Sequence, residues 1–166
     1  MKQLEEILDA RHAVARKAFF DREINAYAKL FATRLEYVQA NGKTIDHASL
    51  MRDVATQFKI ADRFDSRYTV EALLADRSCV TETTFQTALI KVRAFGILRR
   101  IYRIERRGNS TWAQEGGDWK IIATVIFMQT FGPNGRLACL YLMSSGHEKA
   151  APRYRGDSDA ASGYAL

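Results

Sequence analysis

"TWAQEGGDWKIIATVIFMQTF", residues 111–131, sets both tryptophans of a 166-residue chain beside one glycine pair. Two glycines between alternating apolar residues are a strong short-range signal for a β-hairpin, because tight hairpin turns need positive φ. With Gly116-Gly117 as the turn, Glu115 faces Asp118, Gln114 faces Trp119 and Trp112 faces Ile121. Glu115 opposite Asp118 is a like-charge pair, which is mildly unfavourable. A looser four-residue loop would keep the same register.

Strict alternation then puts Trp112, Trp119, Ile121, Val125 and Phe127 on one face, and Thr111, Ile122, Thr124 and Met128 on the other. The strand is apolar on both sides, whereas an antiparallel sheet with one wet face alternates more cleanly. Helices cover one face. The other calls for a second cover, and a two-fold contact with another copy of the chain supplies it, with Trp112, Trp119, Ile121, Val125 and Phe127 as its interface. The rival cover is the C-terminal segment folding back.

Upstream, Leu4, Ile7, Leu8, Ala15, Ala18 and Phe19 repeat at helical spacing. Asp21 marks a cap or kink before a second helical stretch with Ile24, Tyr27, Ala28 and Phe31. Leu35, Tyr37 and Gln39 read as a strand leading into an Asn41-Gly42 turn, and Asp46 caps a third helix with Leu50, Val54 and Phe58 on one stripe. From residue 67 the period becomes two and the segments are rich in β-branched and aromatic residues. The register around Gly108-Asn109 stays open. Residues 131–135 read as a turn and 136–143 as a last strand. Helices followed by a run of strands predict an α+β fold: a curved antiparallel sheet with N-terminal helices on its concave face. One domain spans 1–143, and residues 144–166, small, polar and unpatterned, read as a flexible tail.

The composition is 47% hydrophobic and 27% charged, ordinary for a globular chain. No apolar run approaches the roughly 20 residues of a membrane-spanning helix, and the N-terminus has no signal-peptide core, so a cytoplasmic location is expected. Cys79 and Cys139 lack metal-ligand or redox spacing and read as buried free thiols; no metal site is expected. Residues 91–107 carry seven basic side chains against Glu105, which accounts for the whole net charge of +6. A basic strand with aromatics could bind a nucleic-acid backbone. No nucleic-acid-binding motif accompanies it, and pairing with Glu71, Glu82, Glu105 or Glu115 is the simpler expectation.

The order of features resembles the SnoaL-like branch of the nuclear-transport-factor-2-like, or ketosteroid-isomerase-like, superfamily. The features are a helix ending in Leu30-Phe31, a strand with Tyr37-Val38, a Gly42-Lys43 turn, a helix, and a terminal hairpin with Gly-Asp-Trp-Lys-Ile at 117–121. The resemblance implies a cone-shaped, cystatin-like α+β fold with a pocket between helices and sheet, and a dimer through the convex face. The superfamily hosts isomerases, lyases, cyclases, hydrolases and non-catalytic binding modules, so the fold does not name a reaction. The positions of the ketosteroid isomerase base, tyrosine and second acid fall on Gln39, Ala15 and Thr111. None supplies the required group, a disposition that counts against that chemistry.

The expected pocket is lined by Tyr37, Gln39, Thr111, Ile122, Thr124 and Met128 and takes a small, largely apolar molecule, with no cofactor implied. Glu82 is a candidate acid or base if it points inward, and a surface partner of the arginines if it does not. His47, just after the Asp46 cap, is the other candidate, against an ordinary first-turn position. Nucleophile elbows, phosphate-binding loops, dinucleotide-binding glycines and HExxH are absent from the sequence.

Overall fold

A computed structural model describes residues 2–76, 78–94 and 98–133. Helix α1 runs over Lys2–Phe20 and the short α2 over Ile24–Ala28; β1 (Phe31–Val38) and β2 (Thr44–Ile45) precede α3 (His47–Ile60). Four long strands follow among the described residues, β3 (Ala61–Ala75), β4 (Cys79–Ala94), β5 (Leu98–Glu115) and β6 (Asp118–Pro133). They form one sheet in the order β2-β1-β6-β5-β4-β3. All its pairs are antiparallel except β1 with β6. The sequence-predicted α+β fold, with helices packed on a curved, unclosed sheet, is the one observed.

Local signals place the elements. Asp46 accepts from the Ser49 amide at 2.8 Å and caps α3, and hydrogen bonding from the Ser49 side chain together with that amide holds its carboxyl below the ordinary carboxylate range. Arg22, at φ 60°, turns the chain between α1 and α2, and its guanidinium donates to the Ala61 carbonyl at 2.6 Å. Glu23, not Asp21, precedes α2, and Phe31 opens β1 instead of extending the helix. The Gly116-Gly117 turn is the tight two-residue form, with φ 64° and 85°. Glu115 and Asp118 do face each other, and each has its own arginine: Arg34 on Glu115 at 2.7 Å, Arg11 on Asp118.

Among the described residues the core has three parts. Leu30, Phe31, Leu35, Ile45, Leu50, Val54 and Phe58 join α3 to β1. Ala61, Ala88, Ile90 and Ile104 form a second group on the sheet. Leu8 of α1 packs on Val80 and Trp112, with Leu4, Leu73, Trp119 and Ile121 around them.

Strict alternation along β6 does not hold. The β5–β6 pairing slips between Thr111↔Ala123 and Trp112↔Ile121, and again between Arg107↔Met128 and Gly108↔Ile126. Each slip leaves one extra residue on β6, Ile122 and then Phe127, and each β-bulge reverses inside and outside. Trp112 is therefore only 1% exposed, under α1. Trp119 and Ile121 join it there, and none of the three belongs to the convex face. Val125 and Phe127 are exposed, at 43% and 53%. β5 passes unbroken through Gly108-Asn109, and β6 continues to Pro133, beyond the start of the expected turn. The expected last strand, Cys139 and the tail at 144–166 lie outside the described residues; Cys79 is a half-buried free thiol. Among the described residues, no helix is long and apolar enough to cross a membrane.

Gly108 is where the second bulge meets its partner. A Cβ there would lie 2.7 Å from both the Val125 carbonyl oxygen and Ile126 Cδ1, and the backbone oxygen has nowhere to move without breaking the ladder. Gly108→Ala should destabilise the chain by about 1–3 kcal/mol, the usual cost of overpacking. Urea denaturation measures it, and unchanged stability would show that β6 moves away freely.

Candidate functional site

The helices and the concave face enclose a cavity of about 500 Å³. α1 contributes Ala15, Arg16 and Phe19, α3 contributes Leu50, Asp53 and Val54, and Tyr27 comes from α2. The sheet side is organised by register. Tyr68, Gln86, Arg106 and Gln129 are direct neighbours across β3, β4, β5 and β6, so one polar row crosses the concave face. Ala88 and Ile104 lie on one side of that row and Ile126 on the other.

Hydrogen bonds knit the row. Gln86 Nε2 donates to Tyr68 Oη at 2.9 Å and to Ser66 Oγ at 3.0 Å. Arg106 donates through Nε to Gln129 Oε1 at 3.0 Å and through Nη1 to Tyr37 Oη at 3.3 Å. Burial pushes the Tyr27 and Tyr68 phenols up from their ordinary range, so both hold their protons at neutral pH.

Of the expected pocket residues, Tyr37 and Gln39 line the cavity. The others do not, and the bulges are the reason. Thr111 lies on the convex side, paired with Thr81 at 3.2 Å, and Ile122 is itself a bulge residue. Met128 is in register with the convex Arg107. Thr124 is buried on the concave side, 3.4 Å from Ser110, without reaching the cavity.

Glu82 is the inward alternative, not the surface partner of an arginine. It is 0% exposed, takes the Trp112 indole N–H at 2.7 Å on Oε1, and has His12 Nε2 3.0 Å from Oε2. The His12 ring stacks on Tyr68 with centroids 5.3 Å apart and meets Trp112 edge-on at 5.7 Å. His12 precedes Ala15 and Arg16 by one helical turn, so the His12–Glu82 pair sits just past the cavity wall, with Tyr68 between. Sequence reasoning missed His12, whose only local sign is its place one turn before Ala15 on the inner side of α1. His47 is not at the cavity; its Nε2 lies 3.3 Å from the Ala28 carbonyl and ties α3 to α2.

The basic strand divides between the two faces. Arg103 pairs with Glu105 at 2.6 Å, and Arg107 with Glu71 at 2.5 Å while lying over the Phe85 ring. Arg106 alone of these three enters the cavity. Among the described residues, no cluster of three or more His, Cys, Asp or Glu is arranged to hold a metal ion.

Solved structures share this architecture at low sequence identity. A conserved protein from Planctomyces limnophilus superposes with a TM-score of 0.67 at 9% identity, over 75% of this chain and 95% of its own. The hexachlorocyclohexane dehydrochlorinase LinA-type3 of Novosphingobium barchaimii gives 0.63 at 13% identity, over 84% and 95%. A protein of the NTF2-like family from Streptomyces avermitilis gives 0.61 at 8% identity, over 76% and 97%. The chain has the NTF2-like fold. No protein-family model and no curated protein matches its sequence. Identity this low establishes an NTF2-like cone and assigns none of the neighbours' chemistry.

The NTF2-like cone is fastened at Glu82. Trp112→Phe keeps an aromatic ring but removes one of the two donors to a fully buried carboxylate. It should cost about 1–3 kcal/mol, the penalty for leaving a buried acceptor short of a partner. Denaturant melts report it; a neutral substitution would mean that the indole N–H contributes nothing to holding Glu82.

Proposed function

We propose that this chain binds a small, largely apolar molecule inside the cone. The observation that carries the proposal is the cavity itself, about 500 Å³ and within the usual range for small-molecule sites, walled by Phe19, Leu50, Val54, Ile104 and Ile126 around one polar row. Binding needs nothing further. An isomerase- or lyase-type reaction in the same space would draw its proton route through Tyr68, the cavity phenol that stacks on His12.

The neutral fluorophore N-phenyl-1-naphthylamine provides the test. One equivalent should bind with saturable, blue-shifted emission. Ala15→Trp, which puts a large ring into the cavity from half-buried helix surface, should weaken binding at least about tenfold while leaving the circular dichroism unchanged. Absence of saturable binding to the unaltered chain would refute the proposal.

The second part of the proposal is a homodimer through the convex face. Val125 and Phe127 remain there from the expected interface, and Leu89 and Ile101 are exposed as well. Large apolar side chains left in water on one sheet face mark an association surface. Phe127→Glu should convert a dimer to a monomer in sedimentation at micromolar concentration, and a chain already monomeric there would contradict this assembly.

A further inference from the structure

We infer that the ligand is an organic monoanion, a carboxylic acid with an apolar body, whose carboxylate is received by Arg106. The inference rests on the proposal above that the cone takes a small molecule. Arg106 is half-buried on the floor of the cavity, and both of its partners, Gln129 and Tyr37, are neutral. Among the described residues no carboxylate lies within ion-pair distance of it. Arg11, Arg34, Arg103 and Arg107 each have one. A partly desolvated guanidinium without a counter-charge is unfavourable, and an anionic guest offsets that cost.

The surrounding groups suit a carboxylate. Tyr37 Oη already accepts from Arg106 and Tyr68 Oη from Gln86, so both phenols have their own O–H hydrogens left to donate. Arg106 commits Nε and Nη1 to its bonds with Gln129 and Tyr37. A guanidinium edge flanked by two hydroxyl donors matches a planar carboxylate. The other charged side chains of the cavity wall are Arg16, Lys17, Asp53 and Asp65, two of each sign. Arg16, Lys17 and Asp65 are exposed to solvent, and Lys17 is paired with Asp21. Asp53, on α3, is half-buried like Arg106 but is not within ion-pair distance of it, so Arg106 is the half-buried cation of the wall with no carboxylate against it, and it matches one carboxylate on the ligand.

Two isosteric probes test this on the full chain by calorimetry at neutral pH: naphthalene-2-carboxylate and naphthalene-2-carboxamide. The carboxylate should bind about 10- to 100-fold more tightly, the equivalent of one charge-assisted hydrogen-bonded contact. Arg106→Gln should abolish that preference, so that the acid and the amide bind alike, and Arg106→Lys should keep part of it. If the neutral fluorophore binds but the unaltered chain treats acid and amide alike, or Arg106→Gln keeps the preference, the anion inference falls and the pocket stands. If the fluorophore does not bind at all, both fall together.

Discussion

A carboxylate with no access to water must find its hydrogen bonds inside the protein, and the answer for Glu82 fixes the shape of the cone. One donor, Trp112, belongs to the sheet, and the other, His12, belongs to α1. Apolar packing of Leu4 and Leu8 on Trp112, Trp119 and Ile121 supplies the attraction but is non-directional, and alone would let the helix slide. The bond from His12 sets the position along the helix axis. With α1 fixed there, its next turns bring Ala15, Arg16 and Phe19 over the concave face as one wall of the cavity. The two tryptophans beside the glycine turn thus belong to the helix anchor. Trp112 donates to the charge, and Trp119 packs around the same cluster.

The bulges in β6 do the complementary work on the sheet. An extra residue bends a strand and increases its twist, and β6 has two of them within about six residues of each other. The strand can then present Trp119 and Ile121 to α1, Thr124 and Ile126 to the interior, and Gln129 to the polar row, which one unbroken alternation could not achieve. Gly108 is the matching feature on β5. Without a Cβ it lets the Val125 carbonyl and Ile126 approach closely enough for the ladder to resume after the bulge.

What was legible in the sequence was what neighbouring residues decide among themselves. The Asp46 cap, the Asn41-Gly42 and Gly116-Gly117 turns, the helical stripes and the hairpin pairing of Gln114 with Trp119 all depend on contacts a few residues apart. The bulges were not legible, because only the pairing of β5 with β6 reveals them. Two missed slips were enough to move Trp112, Trp119 and Ile121 to the wrong face and to misplace Thr111 and Met128. Glu82 illustrates a second limit. Its parity along β4 is simple to read, but its burial depends on a histidine seventy positions earlier. No local pattern links the two.

The arginine-rich stretch shows how strand geometry constrains charge. Alternation sends every second residue of β5 through to the concave side, so adjacent arginines at 106 and 107 cannot both stay outside. On the convex face Arg103 and Arg107 are neutralised by Glu105 and Glu71. On the concave face Ile104 and Gly108 flank Arg106, while Arg100, on the same side of the strand, is exposed to solvent. Only a row one residue deep, from Tyr68 to Gln129, accommodates the exception. Polar groups confined to one line with apolar surface on both sides would give a molecule bound there a direction, its polar end toward that line and its apolar body along Ala88 and Ile104 or toward Ile126.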